Sequence, residues 1–199
     1  MLWRHGQTIW NVEHRFQGQT DIPLDETGEA QAEYAARRLA TLMPSAIFAS
    51  DLSRAQQTAA PLSRLTGLPV TPDKRLRERS GGVWEGLTDP QIRERYPRER
   101  ASWDPPDGEA TSVVGDRMSA AINRIAAGLE PGQLAVVVSH GAALRIGMER
   151  VLGLPAEGIG VLGPLANCSW SVLSVVDGRW RLLEYNAGTL PEPVIGDDR

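Results

Sequence analysis

The chain has 199 residues, 41% of them hydrophobic and 23% charged, with a formal net charge of -4 at pH 7. This length suits one globular core, so we expect a single domain spanning residues 1–199. The acidic charge balance argues against a nucleic-acid partner, because binding a polyanion requires a basic surface. The single cysteine, Cys168, excludes an internal disulfide and a cysteine-based zinc site.

The hydrophobic residues are spread along the chain and form no long runs. No run approaches the ~18 apolar residues of a membrane helix, and the first residues lack the basic and apolar regions of a secretory signal. We therefore expect a cytoplasmic protein without a membrane partner, whose ligand is a small molecule. These features are compatible with a homodimer.

The first half of the chain predicts strands that alternate with helices. Leu2-Trp3 forms the end of a first strand, directly before Arg4-His5-Gly6. A helix should begin after the N-cap candidate Asp25 and end before Pro44, since acidic residues occupy its first turn. Two further elements follow: a short buried strand over Ala46 to Ser50, and a helix over SRAQQTAAPLSRLTG that ends at Gly67, with Pro61 a candidate for a kink.

The second half continues the alternation and ends in a hairpin. A short helix opens at Pro90, an irregular segment and candidate lid spans Tyr96 to Glu109, and a longer helix runs from about Ser112 to Ala127. LAVVVSH is typical of a buried parallel strand, and a helix from about Ala143 to Leu152 follows it. The last elements are a hairpin over SWSVLSVVDGRWRLLEY, with Asp177-Gly178 in its turn, and a mobile tail from Gly188. This order predicts a three-layer α/β/α sandwich with a mostly parallel central sheet.

Two of the three histidines occupy matching positions in this pattern. His5 and His140 each follow a predicted buried strand and precede a glycine. The carboxyl ends of parallel strands meet at one edge of a sheet, where open α/β folds bind ligands. Taken alone, either histidine would more often cap a helix or have only a packing role. The matched pair, however, predicts an active site. His14 has no such setting and is interpreted as an ordinary surface or loop residue.

Two arginines are placed to reach the same sheet edge. Arg4 directly precedes His5, and Arg54 lies in the first turn of the helix that follows Ser50. Taken alone, Arg54 would be interpreted as a solvated helix residue. Arginine suits phosphate, however, because its planar guanidinium donates parallel hydrogen bonds and stays charged. Two arginines and two histidines together predict an anion-binding site.

Five motifs occur in order along nearly the whole chain. They are RHGQTIWN from Arg4, FQGQTDIPLDETGEAQA from Phe16, SDLSRAQQTA from Ser50, LRERSGGVWEG from Leu76 and VVSHGAAL from Val137. Together they resemble the histidine phosphatase superfamily, in its phosphoglycerate-mutase-like branch. The resemblance implies that fold, and an enzyme that acts on a small phosphorylated metabolite with neither a metal nor another cofactor.

The resemblance also implies a role for each matched residue. His5 would be the nucleophile that takes the phosphoryl group, while Arg4, Arg54 and His140 would hold its oxygens. This assignment is chemically sound, because phosphoryl transfer depends on in-line positioning and charge neutralisation. The other positions expected to bind phosphate or substrate are Asn11, Gln17, Gly18, Arg79 and Gly141. For Asn11, a helix cap is the alternative.

The reaction also needs a proton donor for the leaving alcohol and a base that later activates water. The resemblance implies Glu78, although the run RLRER by itself suggests a surface salt bridge equally well. Glu85 is the nearest competitor, and we expect a structural role for it beside Trp84. The three scattered histidines do not resemble the ligand set of a zinc site.

We expect hydrolysis rather than mutase chemistry. Mutases of the superfamily carry ER-x-Y-G after the acid, whereas Gly81 stands at the position of their tyrosine. The stretch between Glu78 and His140 is also shorter than in the mutases and has no adjacent arginine pair for a phosphoglycerate carboxylate. Arg79 matches a mutase arginine, so a cofactor-dependent phosphoglycerate mutase is the alternative.

The substrate is suggested by two further stretches. LGPLANCSWSVLS and GVWEGLT are similar to actinobacterial phosphatases that include the glucosyl-3-phosphoglycerate phosphatases. This resemblance implies a sugar or glycerate phosphate.

Overall fold

The computed structural model describes residues 1–154 and 160–188. Its strands are β1 (Leu2–Arg4), β2 (Ala46–Ala49), β3 (Val70–Pro72), β4 (Ala135–Ser139), β5 (Trp170–Val176) and β6 (Arg179–Ala187). Its α-helices are α1 (Ile9–Val12), α2 (Glu26–Ala40), α3 (Ser53–Thr66), α4 (Asp89–Arg95), α5 (Pro97–Ser102), α6 (Thr111–Ala127) and α7 (Gly141–Leu152). Two short 3₁₀ turns cover Lys74–Leu76 and Gly82–Trp84.

The strands form one sheet in the order β3-β2-β4-β1-β5-β6. The first four of these run parallel, and β5 and β6 extend the sheet as an antiparallel hairpin beside β1. Asp177 and Gly178 occupy the hairpin turn, both with positive φ, as a tight two-residue turn requires. The predicted hairpin and the mostly parallel sheet are therefore confirmed.

The central strand β4 explains the layers on both sides of the sheet. Successive side chains of a strand point to opposite faces, and all five residues of β4 are buried. Val136 and Val138 join a core with Leu39 of α2 and Leu62 of α3. Val137 joins the opposite core, which contains these residues of α6 and α7: Met118, Ile122, Leu144 and Met148. The predicted α/β/α sandwich is confirmed.

The helix ends follow the predicted capping signals closely. The side chain of Asp25 accepts a hydrogen bond of 2.8 Å from the Gly28 N–H and so caps α2. Gly67 and Gly153 end α3 and α7 in the left-handed conformation that favours glycine. The helix α7 begins at Gly141, two residues before its predicted start, so that His140 becomes its N-cap.

Three sequence expectations need correction or fall outside the description. The segment from Tyr96 to Glu109 is not irregular throughout, because α5 forms within it with Pro97 in its first turn. The sequence predicts Cys168 as a packing residue in the strand of SWSVL; it is buried in the core, but it lies in the turn before β5 with φ of 55°. The predicted mobile tail begins at Gly188, and its residues 189–199 lie outside the described residues. Among the described helices, none is long and apolar enough to cross a membrane.

Candidate active site

The two strand-end histidines meet at the carboxyl edge of the sheet. β1 pairs with β4 in parallel so that Arg4 lies opposite Ser139. The His5 N–H extends this pairing with a hydrogen bond of 3.0 Å to the Ser139 carbonyl. The two imidazole rings are therefore neighbours, with centroids 5.2 Å apart. This is the juxtaposition that the sequence predicted.

Gly6 follows His5 because the chain there passes directly against α2. A Cβ at Gly6 would lie 2.5 Å from the carbonyl oxygen of Gly28, and one at Gly28 would lie 2.0 Å from the Gln7 carbonyl oxygen. Only glycine allows two backbones to approach so closely. The Gly6 N–H also donates to Thr58 Oγ1 of α3. The loop behind His5 is therefore fixed by two helices.

His5 is held in the tautomer that a nucleophile requires. Its Nδ1 lies 2.7 Å from the Gly6 carbonyl oxygen, which can only accept, so Nδ1 carries the proton and Nε2 keeps its lone pair. Burial lowers the pKa of His5 well below 6.5, and the charges of Arg54 and Arg4 lower it further. The imidazole is neutral at physiological pH, and its Nε2 can attack phosphorus.

His140 presents a hydrogen-bond donor to the same space. Its Nδ1 accepts from Arg54 Nε at 3.2 Å, so the proton of the neutral ring lies on Nε2. Burial, followed by the charge of Arg54, holds the pKa of His140 well below 6.5. His140 Nε2 is buried and has no partner within residues 1–154 and 160–188. Such an orphaned donor is suited to an oxygen of a phosphoryl group.

Both predicted arginines are buried beside these rings. Arg54 is fully buried, and its two terminal nitrogens donate to the carbonyls of Thr20 and Gly18 at 2.9 and 2.8 Å. Arg4 is also buried, and its guanidinium donates to the Leu165 carbonyl. Since both charges act on the pKa of His5, they lie close enough to attract an anion to it.

Glu78 lies across a small cleft from His5. Its Oε1 accepts from the backbone N–H groups of Arg79 and Ala143 at 2.7 and 2.8 Å, and its Oε2 accepts from Ala142 at 3.1 Å. Two of these donors belong to the N-terminus of α7, whose partial positive charge favours a carboxylate. The cleft is lined by His5, Phe16, Gln17, Gly18, Arg54, Glu78 and Ala142.

Glu85, the competing carboxylate, supports a loop instead. Its oxygens accept from the N–H groups of Gln19, Thr20 and Gly81 at 2.9 to 3.0 Å, and from the hydroxyl of Thr20. A Cβ at Gly18, which has φ of 53°, would lie 2.1 Å from Glu85 Oε1. Glu85 therefore organises the Gly18 to Thr20 loop and does not line the cleft.

The guanidinium of Arg79 does not reach the cleft. It is almost fully buried and donates to the carbonyls of Glu109 at 2.7 Å and Trp103 at 2.9 Å. Burial lowers its pKa, and the nearby Asp104 carboxylate acts in the opposite direction. In this structure Arg79 fastens the segment that contains α5 and contributes its N–H to Glu78.

Asn11 and Gly141 occupy the ends of helices. Asn11 Oδ1 accepts from the backbone N–H and hydroxyl of Thr8, both at 3.1 Å, so the helix-cap alternative describes its position. Gly141 is the first residue of α7, directly after His140. Neither residue lines the cleft that contains Glu78.

One residue that the sequence did not single out supports the nucleophile directly. Asn167 Nδ2 donates to the His5 carbonyl at 3.1 Å and to Asn11 Oδ1 at 3.2 Å. The neighbouring Cys168 N–H also donates to the His5 carbonyl. An asparagine in a turn is usually interpreted as a turn residue, and only the fold brings this one to His5.

Phe16 was likewise not predicted as a site residue. It lines the cleft and belongs to an aromatic cluster, with ring centroids 5.9 Å from Trp84 and 6.2 Å from Trp103. The sequence signal was present, since Phe16 opens one of the five motifs. This cluster gives the cleft one apolar wall beside its charged groups.

A second and larger cavity lies away from these residues. It has a volume of about 390 Å³ and lies at the amino ends of β1 and β4, against Leu2, Ala135 and Ile122. It contains none of the predicted site residues. No group of three or more potential metal ligands occurs within the described part of the chain.

The site thus combines a neutral imidazole, a buried N–H donor, two buried guanidiniums and a carboxylate. On an α/β sheet edge, this combination is suited to an enzyme that transfers phosphoryl groups. Residues 1–188 match the model of the Histidine phosphatase superfamily (branch 1). The chain belongs to this superfamily.

Curated relatives and solved structures agree with that membership. The chain is 38% identical over 208 residues to a glucosyl-3-phosphoglycerate phosphatase of Mycobacterium tuberculosis, covering 94% of this chain and 93% of the relative. It is 39% identical over 186 residues to a probable phosphoglycerate mutase of Cronobacter sakazakii, covering 90% and 86%. A solved mycobacterial glucosyl-3-phosphoglycerate phosphatase in complex with VO3 has a TM-score of 0.88 and 40% identity, covering 94% of this chain and 98% of that one. These findings support a phosphatase over the mutase alternative.

Proposed function

We propose that the protein hydrolyses a small phosphomonoester through a phosphohistidine on His5 Nε2. The observation that carries this proposal is the hydrogen bond from His5 Nδ1 to the Gly6 carbonyl, which leaves Nε2 as the nucleophilic nitrogen. In the first step Nε2 forms a bond to phosphorus, and the bond between phosphorus and the substrate alcohol oxygen breaks. The alcohol leaves with that electron pair and takes the proton that Glu78 carries, as a carboxylic acid, when this step begins.

Water completes the cycle in the second step. The Glu78 carboxylate takes a proton from water as its oxygen attacks phosphorus, and the bond between phosphorus and Nε2 breaks. Inorganic phosphate is released, and His5 and Glu78 return to their starting protonation states. Glu78 lines the same cleft as His5, and backbone N–H groups fix both of its oxygens. These donors favour the carboxylate, which is the form that acts as the base in this second step.

The remaining groups are proposed to neutralise and orient the phosphoryl group. Arg4 and Arg54 supply positive charge, and the Nε2–H of His140 donates to an oxygen. Gln17 and Gly18 would contact substrate from the cleft wall. Asn11 and Gly141 would act at the helix ends beside the phosphate, and Arg79 through the loop that it fastens.

We propose a phosphorylated sugar or glycerate as the substrate, with glucosyl-3-phosphoglycerate the first compound to test. The named activity of the mycobacterial relatives supports this choice. The cleft offers an apolar wall at Phe16 against which a sugar ring can pack. Arg79 gives the mutase alternative little support, because its guanidinium lies outside the cleft that Arg54 lines and fastens the segment with Trp103 instead.

The cytoplasm is the proposed compartment, with no nucleic-acid or membrane partner. The presence of a single cysteine, Cys168, and the acidic composition support this proposal. A homodimer is compatible with the proposed reaction, and light scattering on the purified protein measures its mass.

A panel of phosphomonoesters, assayed with and without 2,3-bisphosphoglycerate, tests the function. We expect release of inorganic phosphate that does not depend on the bisphosphate, with the highest kcat/KM for a sugar or glycerate phosphate. Interconversion of 2- and 3-phosphoglycerate that requires the bisphosphate, without net phosphate release, would instead establish the mutase. The His5→Ala variant is the matched blank for every substrate.

A further inference from the structure

The segment that carries Glu78 has little regular structure of its own. Glu78 lies between the 3₁₀ turns Lys74–Leu76 and Gly82–Trp84, outside every α-helix and strand. A general acid must nevertheless be held within hydrogen-bond reach of the leaving oxygen. Something outside this segment therefore has to fix its main chain.

Arg117 of α6 provides that support with its whole guanidinium. Its Nη1 donates to the carbonyls of Arg75 and Arg77 at 2.8 and 2.6 Å, and its Nη2 donates to the Glu78 carbonyl at 2.9 Å. The remaining donors, on Nε and Nη2, bind the two carboxylate oxygens of Glu109 at 2.8 Å each. All five N–H groups of the guanidinium thus have acceptors.

Glu109 continues the same network on the far side of Glu78. Its Oε2 accepts from the Ser80 N–H at 2.9 Å and from Gln19 Nε2 at 3.3 Å. Gln19 Nε2 also donates to the Glu78 carbonyl at 3.1 Å. The pair therefore holds main-chain groups both before and after the glutamate.

The Arg117 and Glu109 pair is built as a fixed support rather than a surface ion pair. The exposed fractions of the two side chains are only 16% and 21%. Burial acts to raise the pKa of Glu109, but hydrogen bonds from Arg117 and Ser80 outweigh it, so the pKa lies below its ordinary value. The carboxylate remains ionised and paired across the neutral pH range.

We propose that Arg117 and Glu109 are positioning residues for proton transfer by Glu78. Neither side chain lines the cleft, and their hydrogen bonds to this segment go to its main chain. The Arg117 charge also acts on the pKa of His140, and a lysine at this position keeps that charge. The inference rests on the proposed function, since it assumes that Glu78 protonates the leaving alcohol.

The dependence of the rate on the leaving group tests this assignment. Arg117→Lys keeps the positive charge but cannot supply five donors in a planar arrangement. We expect kcat/KM for glycerol 2-phosphate to fall by about 10-fold or more, because an alkoxide leaving group needs the acid. The burst of p-nitrophenol from p-nitrophenyl phosphate should change by less than about 3-fold, because that leaving group needs little protonation.

Arg150→Lys is the matched control. Arg150 of α7 pairs with Asp116, the neighbour of Arg117 on α6, and neither Arg150 nor Asp116 hydrogen-bonds to the Glu78 segment. We expect it to leave both substrates unaffected. Glu109→Gln, which keeps the shape but weakens the pairing with Arg117, should reproduce the selective loss and provides a second variant if Arg117→Lys does not fold.

The outcomes distinguish a failure of the positioning role from a failure of the proposed function. An equal loss on both substrates, or no loss on either, in a folded variant would overturn the positioning role while phosphohistidine still forms in the wild type. Absence of phosphohistidine in the wild type would overturn the proposed function itself. Recovery of glycerol 2-phosphate hydrolysis when guanidinium ion is added to Arg117→Ala would support the positioning role.

Discussion

The two sides of the cleft are built in different ways. On the side that we propose binds phosphate, the phosphate side, His5 and His140 follow two neighbouring parallel strands, and Arg4 and Arg54 are buried on β1 and α3. On the opposite side, Glu78 lies in a segment whose main chain is held by side chains from elsewhere. The phosphate side is therefore fixed by the sheet, and the leaving-group side by a polar network.

The two sides should therefore differ in how much variation in substrate structure they can accept. The phosphoryl group is the same for every phosphomonoester, so a rigid sheet edge can hold it. The leaving alcohol differs between substrates. Glu78 and Phe16 line that side of the cleft, and Phe16 packs against Trp103 in the segment that Arg79 fastens. Loops carried by a rigid scaffold are the usual place for such variation.

Removing the proposed nucleophile should abolish phosphoryl transfer. We expect His5→Ala to lose turnover by about 10⁴-fold or more, because no other group can accept the phosphoryl group. The fold should persist, and circular dichroism checks this. An acid-labile phosphohistidine detected in His5→Ala would refute the assignment. His14→Asn is the control, since His14 is exposed and has a positive φ that asparagine tolerates.

Removing one guanidinium should weaken the phosphate side less. We expect Arg54→Ala to reduce kcat/KM by about 100-fold or more, equivalent to several kcal/mol, since a charged donor is lost in a site that excludes water. The loss should be similar for good and poor leaving groups. Arg64→Ala on the same helix is the control, because Arg64 is exposed and pairs with Glu33. Near wild-type activity of Arg54→Ala would place Arg54 outside the reaction.

The buried histidines should also make the phosphate side sensitive to pH. Burial and the charges of Arg54 and Arg4 depress the pKa values of His5 and His140 below 6.5 in the folded state. The unfolded chain therefore binds more protons below that value, and stability is present above it and lost as pH falls. We expect the two rings to lower the free energy of unfolding by about 1 to 3 kcal/mol between roughly pH 7.5 and 5.5. The Met1 amino group, whose pKa burial lowers from 8.0 to about 5, adds a loss of the same sign over this range.

Urea denaturation at several pH values measures this loss. The carboxylates with lowered pKa, such as Asp51 and Asp73, have ordinary values of 3.8 and titrate below this range. His5→Asn should remove part of the dependence, and His14→Asn should retain it. A pH dependence of His5→Asn equal to that of the wild type would show that the His5 ring does not resist protonation in the folded state.

The phosphate side could be predicted from the sequence because its signals are local. Each histidine directly follows an apolar strand, and parallel strands bring their ends together by topology alone. The helix starting near Asp25 and the hairpin turn at Asp177-Gly178 carried equally local signals. Short-range rules therefore placed the sheet edge and its charged groups correctly.

The leaving-group side could not be predicted in the same detail, since its contacts join distant parts of the chain. The position of Arg79 along the loop did not indicate that its guanidinium would turn toward Trp103 and Glu109. The support of Glu78 by Arg117 spans 39 residues, and that of His5 by Asn167 spans 162. No local pattern encodes contacts of this kind, and the α5 helix was missed because three prolines suggested irregular chain.

Rapid-quench kinetics of Glu78→Gln test most directly whether the two sides act separately. The variant keeps the size of the side chain but cannot donate the proton, so hydrolysis of a sugar or glycerate phosphate should fall by roughly 100-fold or more. With p-nitrophenyl phosphate we expect a fast burst of p-nitrophenol, slow turnover, and phosphohistidine that accumulates because water is no longer activated. An equal loss for both substrates in the first step, without phosphoenzyme, would contradict the account and make Glu85 the next candidate for the acid.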